Sequence, residues 1–126
     1  MKKTRAKIRW YEDSEPQDYP SALSFLSLIF APRQAKLLVA KLKEAPAAKF
    51  ASKDISRASG LSLLGVSNTH VERDRERIRS GERLSPLLLV RDPAHGRVVI
   101  ADGFHRLCAV YSFDEDALIR CKICTL

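Results

Sequence analysis

Apolar residues in the second half of the chain fall into three short runs that predict β-strands. The runs cover residues 87–90, 98–100 and 118–124, and the β-branched residues of the second run favour a strand covered on both faces. Residues 92–96, between the first two runs, are rich in turn formers, so these two strands are expected to form a hairpin. The third run alternates apolar and polar residues, and it is expected to close the sheet.

Helical spacing of apolar residues follows directly after the second of these strands. Leu107, Cys108 and Tyr111 lie on one face of a helix that the pattern predicts over residues 104–113. Gly103 precedes this helix, and a glycine there permits a sharp corner between strand and helix.

Two further helices are predicted in the first half of the chain, after a short strand over residues 7–11. The first helix covers residues 20–30 and is apolar on nearly all sides, which favours burial over a position in an oligomer interface. The second covers residues 32–44 and begins at a proline. Its apolar face consists of Ala35, Leu38, Val39 and Leu42. The two helices are expected to form an αα-hairpin on the sheet, and such a hairpin can also bind a protein partner.

The middle of the chain predicts shorter elements. Residues 49–55 have the pattern of a strand or extended segment, residues 56–60 that of a loop, and residues 61–65 that of one helical turn. Residues 69–72 form a capping box, which predicts a helix that begins there and ends before Gly81 with its arginines exposed.

Composition and charge narrow the class of protein. The chain has 126 residues, the size of a single domain, and no apolar run long enough to span a membrane. Its basic N-terminus lacks the apolar run of a secretory signal, so a cytoplasmic protein with no membrane partner is expected. The net charge of +7 favours an anionic partner, and the alternative is an ordinary soluble surface that is basic. Acidic residues interleave with the arginines of residues 73–83, so the charge forms no continuous stripe for nucleic acid.

The three cysteines are predicted to be packing residues rather than a disulfide framework or a metal site. Cys121 and Cys124 lie three residues apart in a predicted strand, so they should face opposite sides of the sheet. A redox C-x-x-C normally opens a helix, and a zinc site would need two further ligands. Cys108 falls on the apolar face of its predicted helix.

The candidate chemistry lies at the start of the helix predicted over residues 104–113. Asp102, His105 and Arg106 are the last polar residues before its apolar face, where backbone N–H groups lack helical partners and attract anions. Cations at this end of a helix are unfavourable by roughly 0.3–1 kcal/mol each, so two adjacent ones indicate an anionic ligand. In the alternative interpretation, Asp102 is only an N-cap and the two cations are solvated.

The sequence Ile100–Ala109, IADGFHRLCA, resembles the signature of the ParB/sulfiredoxin-like superfamily. Gly103, His105, Arg106 and Ala109 match that signature, and the predicted order of hairpin, corner and helix agrees with it. The resemblance implies a bacterial protein.

The resemblance extends over about residues 49–123 and implies an α+β fold, with a small mixed sheet and flanking helices. Residues 49–126 would form this core, and residues 1–48 an N-terminal helical extension that contains the αα-hairpin. All 126 residues would form a single domain.

The resemblance also implies a ligand, which is a nucleotide or another phosphorylated small molecule. The expected cofactor is a nucleoside triphosphate with Mg²⁺, and the expected activity a weak phosphohydrolase or small-molecule kinase reaction. Asp102 and His105 are the candidate catalytic residues, with Asp102 as a Mg²⁺ ligand or general base. In relatives, a loop directs a basic residue into the nucleotide site, and Arg57, followed by Lys53, is the candidate for it. In the alternative interpretation, Arg57 is a surface residue beside Asp54. The other expected binding residues are Gly103, Phe104, His105 and Arg106.

Phe104 is the main departure from the superfamily pattern. It replaces the cysteine of sulfiredoxins, which excludes their chemistry, and the glutamate of the ParB motif, which favours binding over hydrolysis. Two alternatives stay open at this point. One is a DNA-associated accessory protein that binds through its basic surface, and the other is a non-catalytic regulatory or interaction domain that uses residues 20–45, as a homodimer or with a protein partner.

Overall fold

The computed structural model describes residues 7–126, which contain six strands, five α-helices and a 3-10 helix at Pro93–His95. The strands are β1 (Arg9–Trp10), β2 (Ala47–Ala51), β3 (Arg83–Leu84), β4 (Leu87–Asp92), β5 (Arg97–Asp102) and β6 (Leu118–Thr125). The helices are α1 (Asp18–Ile29), α2 (Pro32–Glu44), α3 (Ser52–Ser59), α4 (Thr69–Arg79) and α5 (Phe104–Phe113). The protein is therefore a mixed α+β fold, and the predicted helix over 104–113 is confirmed.

The main sheet is mixed, with the spatial order β2–β6–β4–β5. β4 and β5 form the predicted antiparallel hairpin, whereas β6 runs parallel to β4 and antiparallel to β2. The prediction that β6 closes the sheet is wrong, since β6 lies inside it. After β5 the chain crosses over through α5, and this crossover returns it beside β4 in the parallel direction. β1 confirms the short N-terminal strand and pairs with β3 in a separate two-stranded sheet.

The sheet separates two hydrophobic clusters. Helices α3, α4 and α5 contribute to the cluster on one face, and the αα-hairpin of α1 and α2 covers the other. Cys121 and Cys124 lie in opposite clusters, as predicted from their spacing, and Cys108 belongs to the same cluster as Cys121. All three are buried free thiols. Burial raises the pKa of each of them, that of Cys121 to about 11, so these residues serve packing rather than reactivity.

The αα-hairpin forms as predicted, but α1 is much more exposed than its composition indicates. The predicted apolar face of α2 is buried throughout. In α1, however, Leu28 is 85% exposed, and Phe25 and Ile29 are also exposed. The expected burial on most sides is wrong because α1 packs mainly on α2 and on the edge strand β5, which leaves its outer face open.

The middle of the chain differs most from prediction. The predicted strand over 49–55 ends at Ala51, and residues 52–59 form α3 in place of its second half and of the predicted loop over 56–60. Ser52 donates its hydroxyl to the carbonyls of Asp114 and Glu115 and so fixes the start of the helix. Residues 61–65 do not form the predicted helical turn.

Helix α4 begins where the sequence predicts, but its cap is one residue earlier. Asn68 accepts hydrogen bonds from the backbone N–H groups of His70 and Val71, so the predicted capping box at Thr69 is wrong. The end of α4 before Gly81 is confirmed. Among residues 7–126, no helix has both the length and the apolar character needed to cross a membrane.

Candidate functional site

The corner between β5 and α5 depends on Gly103, which occupies the N-cap position of α5. Its φ of +107° and ψ of 16° lie in a region that residues with a side chain avoid. A Cβ atom at this position would lie 2.7 Å from Leu87 Cγ and 2.9 Å from Arg106 Nη2. No side chain caps α5, so the interpretation of Asp102 as its N-cap is wrong. The first N–H groups of α5 therefore lack a side-chain acceptor.

Arg106 is held at this corner by two carboxylates. Its Nη2 donates to Asp102 Oδ2 at 2.9 Å, and its Nη1 lies 3.8 Å from Asp18 Oδ1. Its Nε is buried and has no hydrogen-bond partner within the described residues. The guanidinium thus forms one hydrogen bond and one longer ion pair, which connect α5 to the end of β5 and to α1.

Both carboxylates have further partners. Ser21 donates its hydroxyl to Asp102 Oδ1 at 3.0 Å, and Ser85 donates to Asp18 Oδ2. Burial raises the pKa of Asp102, and the negative charge of Asp18 adds to this effect, while Arg106 opposes it. The site residue Asp102 is therefore a partly desolvated carboxylate that depends on Arg106 as its counter-charge.

A polar cavity of about 190 Å³ opens in front of the uncapped end of α5. Arginines and histidines from α4 and α5 dominate its lining. The lining residues are His70, Arg73, Asp74, Arg77, Asp102, Gly103, Phe104, His105 and Arg106. The rings of His70 and His105 face each other with their centroids 4.9 Å apart. Because the lining contains three arginines and only two aspartates, its charge is net positive and the cavity is suited to an anion.

A second polar cavity, of about 220 Å³, adjoins the first and shares Arg77 and Arg106 with it. Its other lining residues come from the segment before α1, from α1 and from the region of β3. They are Tyr11, Glu15, Gln17, Asp18, Glu82, Arg83 and Ser85. The two cavities are therefore neighbours that meet at Arg77 and Arg106.

Asp74 is the site residue that sequence reasoning misplaced. In the sequence it is one of the acidic residues that interleave with the arginines of residues 73–83, a pattern typical of a solvated helix face, whereas Asp74 is only 7% exposed and its Oδ1 lies 3.5 Å from Arg77 Nη1. Burial raises its pKa, although the positive charges of Arg106 and Arg77 oppose the shift. Its spacing from Val71 and Ile78, the buried residues of α4, is the signal that could have placed it on the inner face.

The buried Asp74 carboxylate leads to a prediction about pH and stability. A carboxyl group whose pKa is raised by folding binds its proton more tightly in the folded state than in the unfolded chain. Ionisation of Asp74 therefore destabilises the fold. This cost is absent at low pH and grows as the pH rises above the ordinary pKa of 3.8. We therefore expect Asp74→Asn to raise the free energy of unfolding at pH 7, with the difference from wild type vanishing towards pH 3.8. Urea titrations at a series of pH values measure this. A lower stability of the variant at pH 7 would contradict the prediction.

Lys53 and Arg57 do not reach the corner. Both lie on α3, where Lys53 Nζ is 2.6 Å from Asp116 Oδ1 and Arg57 Nη1 is 3.8 Å from Asp54 Oδ1. Neither lines the two polar cavities, and the Arg57 side chain is 82% exposed. The sequence predicts Arg57 in a loop over residues 56–60 and Lys53 in the strand before it, whereas both lie on α3 and point away from the corner.

Comparisons of the chain with protein-family models, with curated proteins and with solved structures gave no match. Within residues 7–126, no cluster of three or more histidine, cysteine or acidic side chains has the arrangement of a metal site.

Proposed function

We propose that the protein binds a phosphorylated small molecule, with a phosphate group at the N-terminal end of α5. The observation that carries the proposal is the cavity of about 190 Å³, in which the uncapped start of a helix meets three arginines and two histidines. Backbone N–H groups and the helix dipole favour an anion at such an end. The resemblance of residues 100–109 to ParB/sulfiredoxin-like proteins supports the same ligand class.

The contacts divide the roles of the basic residues. Arg73, His70 and His105 would bind the phosphate, because they line the cavity from two helices. Arg106 would act as a positioning residue, since it already forms ion pairs with Asp102 and Asp18.

A nucleoside triphosphate is the ligand that we propose to test first. Its phosphates would lie in the first cavity, and its sugar and base would extend past Arg77 into the second. The carboxylate oxygens of Asp102 and Asp74 form ion pairs with arginines, which would compete with a metal ion for them. We therefore propose that Mg²⁺ would bind together with the phosphates of the ligand. In a phosphohydrolase or kinase reaction, His105 would be the residue best placed to transfer a proton.

Thermal unfolding with a panel of ligands tests the proposal. The panel contains CTP, ATP, GTP and UTP with and without Mg²⁺, inorganic phosphate and short duplex DNA. A ligand at one hundred times its Kd stabilises the folded state by about 2.7 kcal/mol, a shift of several degrees. We expect such a shift for at least one phosphorylated ligand, and its loss in Arg73→Ala and His105→Ala.

Arg57→Ala is the matched control for that experiment, because it removes an exposed arginine outside the cavity. It should keep the full ligand shift. The proposal fails if no phosphorylated ligand shifts the wild type, or if Arg57→Ala loses the shift as completely as Arg73→Ala does. Stabilisation by DNA alone, steeply dependent on salt, would favour the DNA-associated alternative instead. Ion pairs of Arg75, Arg77 and Arg79 with acidic residues of α4 argue against that alternative.

A second candidate function is protein–protein interaction through the αα-hairpin, favoured by the exposed apolar face of α1. Phe25, Leu28 and Ile29 of α1 and Leu37 of α2 are all exposed, within two turns of the hairpin connection. Patches of large apolar residues of this kind commonly mark interaction sites. A second copy of the chain is the simplest partner to test.

We expect Leu28→Asp to weaken self-association while leaving Tm nearly unchanged, because the Leu28 side chain is 85% exposed. Sedimentation equilibrium over a range of concentrations measures the effect. Leu61→Asp, at another exposed leucine, is the control and should leave association unchanged. A wild-type protein that stays monomeric at high concentration would exclude the homodimer. Leu26 is unsuitable for this test since it is fully buried.

A further inference from the structure

A third cavity, of about 180 Å³, lies between α3 and the sheet, on the face that α4 and α5 also cover. Its apolar lining comes from β2, α3 and the three neighbouring strands. These residues are Phe50, Ile55, Ala58, Leu89, Val98 and Ile123. Asp54 and Arg91 complete the lining. Val98 lies four residues before Asp102 on β5, so the cavity is about 13 Å from the corner. It shares no residue with either polar cavity.

The size and lining of this cavity suit a small apolar group. A cavity of about 150 Å³ lined by leucine, isoleucine and phenylalanine can stay dry and bind benzene. The cavity at Leu89 and Val98 is slightly larger and is lined by similar residues, but it opens to solvent on one side, where Phe50 and Arg91 are exposed. A phenyl ring or a branched alkyl chain of comparable volume would therefore fit.

Arg91 adds a charge to this otherwise apolar lining. It pairs with Val98 in the β4–β5 register, and it lies on the same face of β4 as Leu89, two residues earlier. Among residues 7–126, no carboxylate lies within ion-pair distance of Arg91. Asp54, the acidic residue of the lining, lies 3.8 Å from Arg57 instead. The cavity thus combines a mainly apolar lining with Asp54 and with one guanidinium that forms no ion pair among the described residues.

We propose that this cavity binds a small apolar carboxylate, with the phenyl or branched alkyl group inside and the carboxylate on the Arg91 guanidinium. A guanidinium binds a carboxylate through two parallel charge-assisted hydrogen bonds, which gives the ligand a fixed orientation. The ligand class differs from that of the corner, where the polar lining suits phosphate. The inference is independent of the proposed phosphate site.

Binding of phenylacetate and of its neutral analogue phenylacetamide to the full chain tests this proposal. Both have the same shape, and only the first carries a carboxylate. We expect phenylacetate to bind with one-to-one stoichiometry, at least tenfold more tightly than phenylacetamide, because charge-assisted hydrogen bonds contribute about that much. Isothermal titration or NMR chemical-shift titration measures both ligands.

Two substitutions locate the ligand. Arg91→Gln should weaken phenylacetate about tenfold and bring it to the affinity of phenylacetamide, since it removes the guanidinium that holds the carboxylate. Ala58→Leu should weaken both ligands by filling the cavity. Arg33→Gln, on the opposite face of the sheet, removes an exposed charge and should change neither affinity. Saturating inorganic phosphate should leave phenylacetate binding unchanged.

Three results would overturn the proposal. The first is a wild-type protein that binds no phenylacetate at millimolar concentration. The second is equal affinity for the acid and the amide, which would show an apolar cavity without carboxylate recognition. The third is phenylacetate binding that Arg91→Gln leaves unchanged. Arg91 is exposed, so its substitution should preserve the fold, and this comparison decides the matter even if Ala58→Leu fails to fold.

Discussion

Arg106→Leu is expected to lower the free energy of unfolding by about 3–5 kcal/mol and Tm by roughly 10 °C or more. The substitution leaves the carboxylates of Asp102 and Asp18, both largely buried, without their shared counter-charge. Removing one partner of a buried ion pair is much more costly than replacing the whole pair, because the remaining charge stays desolvated. Chemical denaturation of the variant and the wild type measures the difference.

Two further variants show whether the uncompensated carboxylates cause that loss. Adding Asp102→Asn and Asp18→Asn to Arg106→Leu should restore part of the stability, because the isolated charges are then absent. Arg57→Ala should cost less than about 0.5 kcal/mol, since its ion pair is exposed. If Arg106→Leu is as mild as Arg57→Ala, the carboxylates do not depend on Arg106.

Arg106 is the most recognisable residue of the sequence motif, but its substitution is a poor test of ligand binding. Loss of ligand binding in an Arg106 variant would not distinguish a lost contact from a displaced helix α5. Arg73 and His105 line the same cavity, and neither forms the ion pairs that hold Arg106. Substitutions at these two positions therefore report on the ligand more directly.

Gly103→Ala is expected to cost about 2–4 kcal/mol, the sum of backbone strain and a steric clash. The backbone at φ +107° and ψ 16° lies outside even the left-handed helical region that some residues tolerate. The added Cβ would also lie 2.7 Å from Leu87 Cγ, in the hydrophobic cluster, and 2.9 Å from Arg106 Nη2. Either the corner opens or the Arg106 ion pairs shift, so the ligand-induced rise in Tm should also be lost.

Gly60→Ala is the matched control for this substitution. Gly60 also has a positive φ, of +68°, but nothing lies within 4 Å of a Cβ there. It should therefore cost only the strain of a left-handed residue, about 1–2 kcal/mol. If the two variants lose the same free energy of unfolding, the close contact with Leu87 does not destabilise Gly103→Ala. The corner would then tolerate a side chain as well as position 60 does.

The strand, the corner and the helix of the candidate site could be predicted from the sequence. Apolar periodicity gave the bounds of α5, and the single glycine before it indicated a corner. The opposite orientation of Cys121 and Cys124 followed from the period of two in a strand. These features depend on residues that are neighbours along the chain, which is why local patterns suffice to predict them.

The composition of the site could not be predicted in the same way. In the sequence, Asp74 is one of many charged residues of α4. Only the packing of α4 against α5 buries it beside the corner. Asp18 is separated from Arg106 by 88 positions in the sequence, so no local pattern connects them. Conversely, the sequence predicts that Arg57 is a site residue, whereas its position on α3 exposes its side chain to solvent.

The sequence by itself therefore determined the local elements of this protein, namely where most helices and strands lie, where the chain turns sharply and which face of α2 and of β6 is apolar. Only the tertiary structure decided that β6 lies inside the sheet, that the outer face of α1 stays open and that Arg106 is neutralised by Asp102 and Asp18. The physical reason is that periodicity and turn chemistry act between neighbouring residues. Strand order, burial and charge pairing instead depend on the free energies of contacts between distant segments.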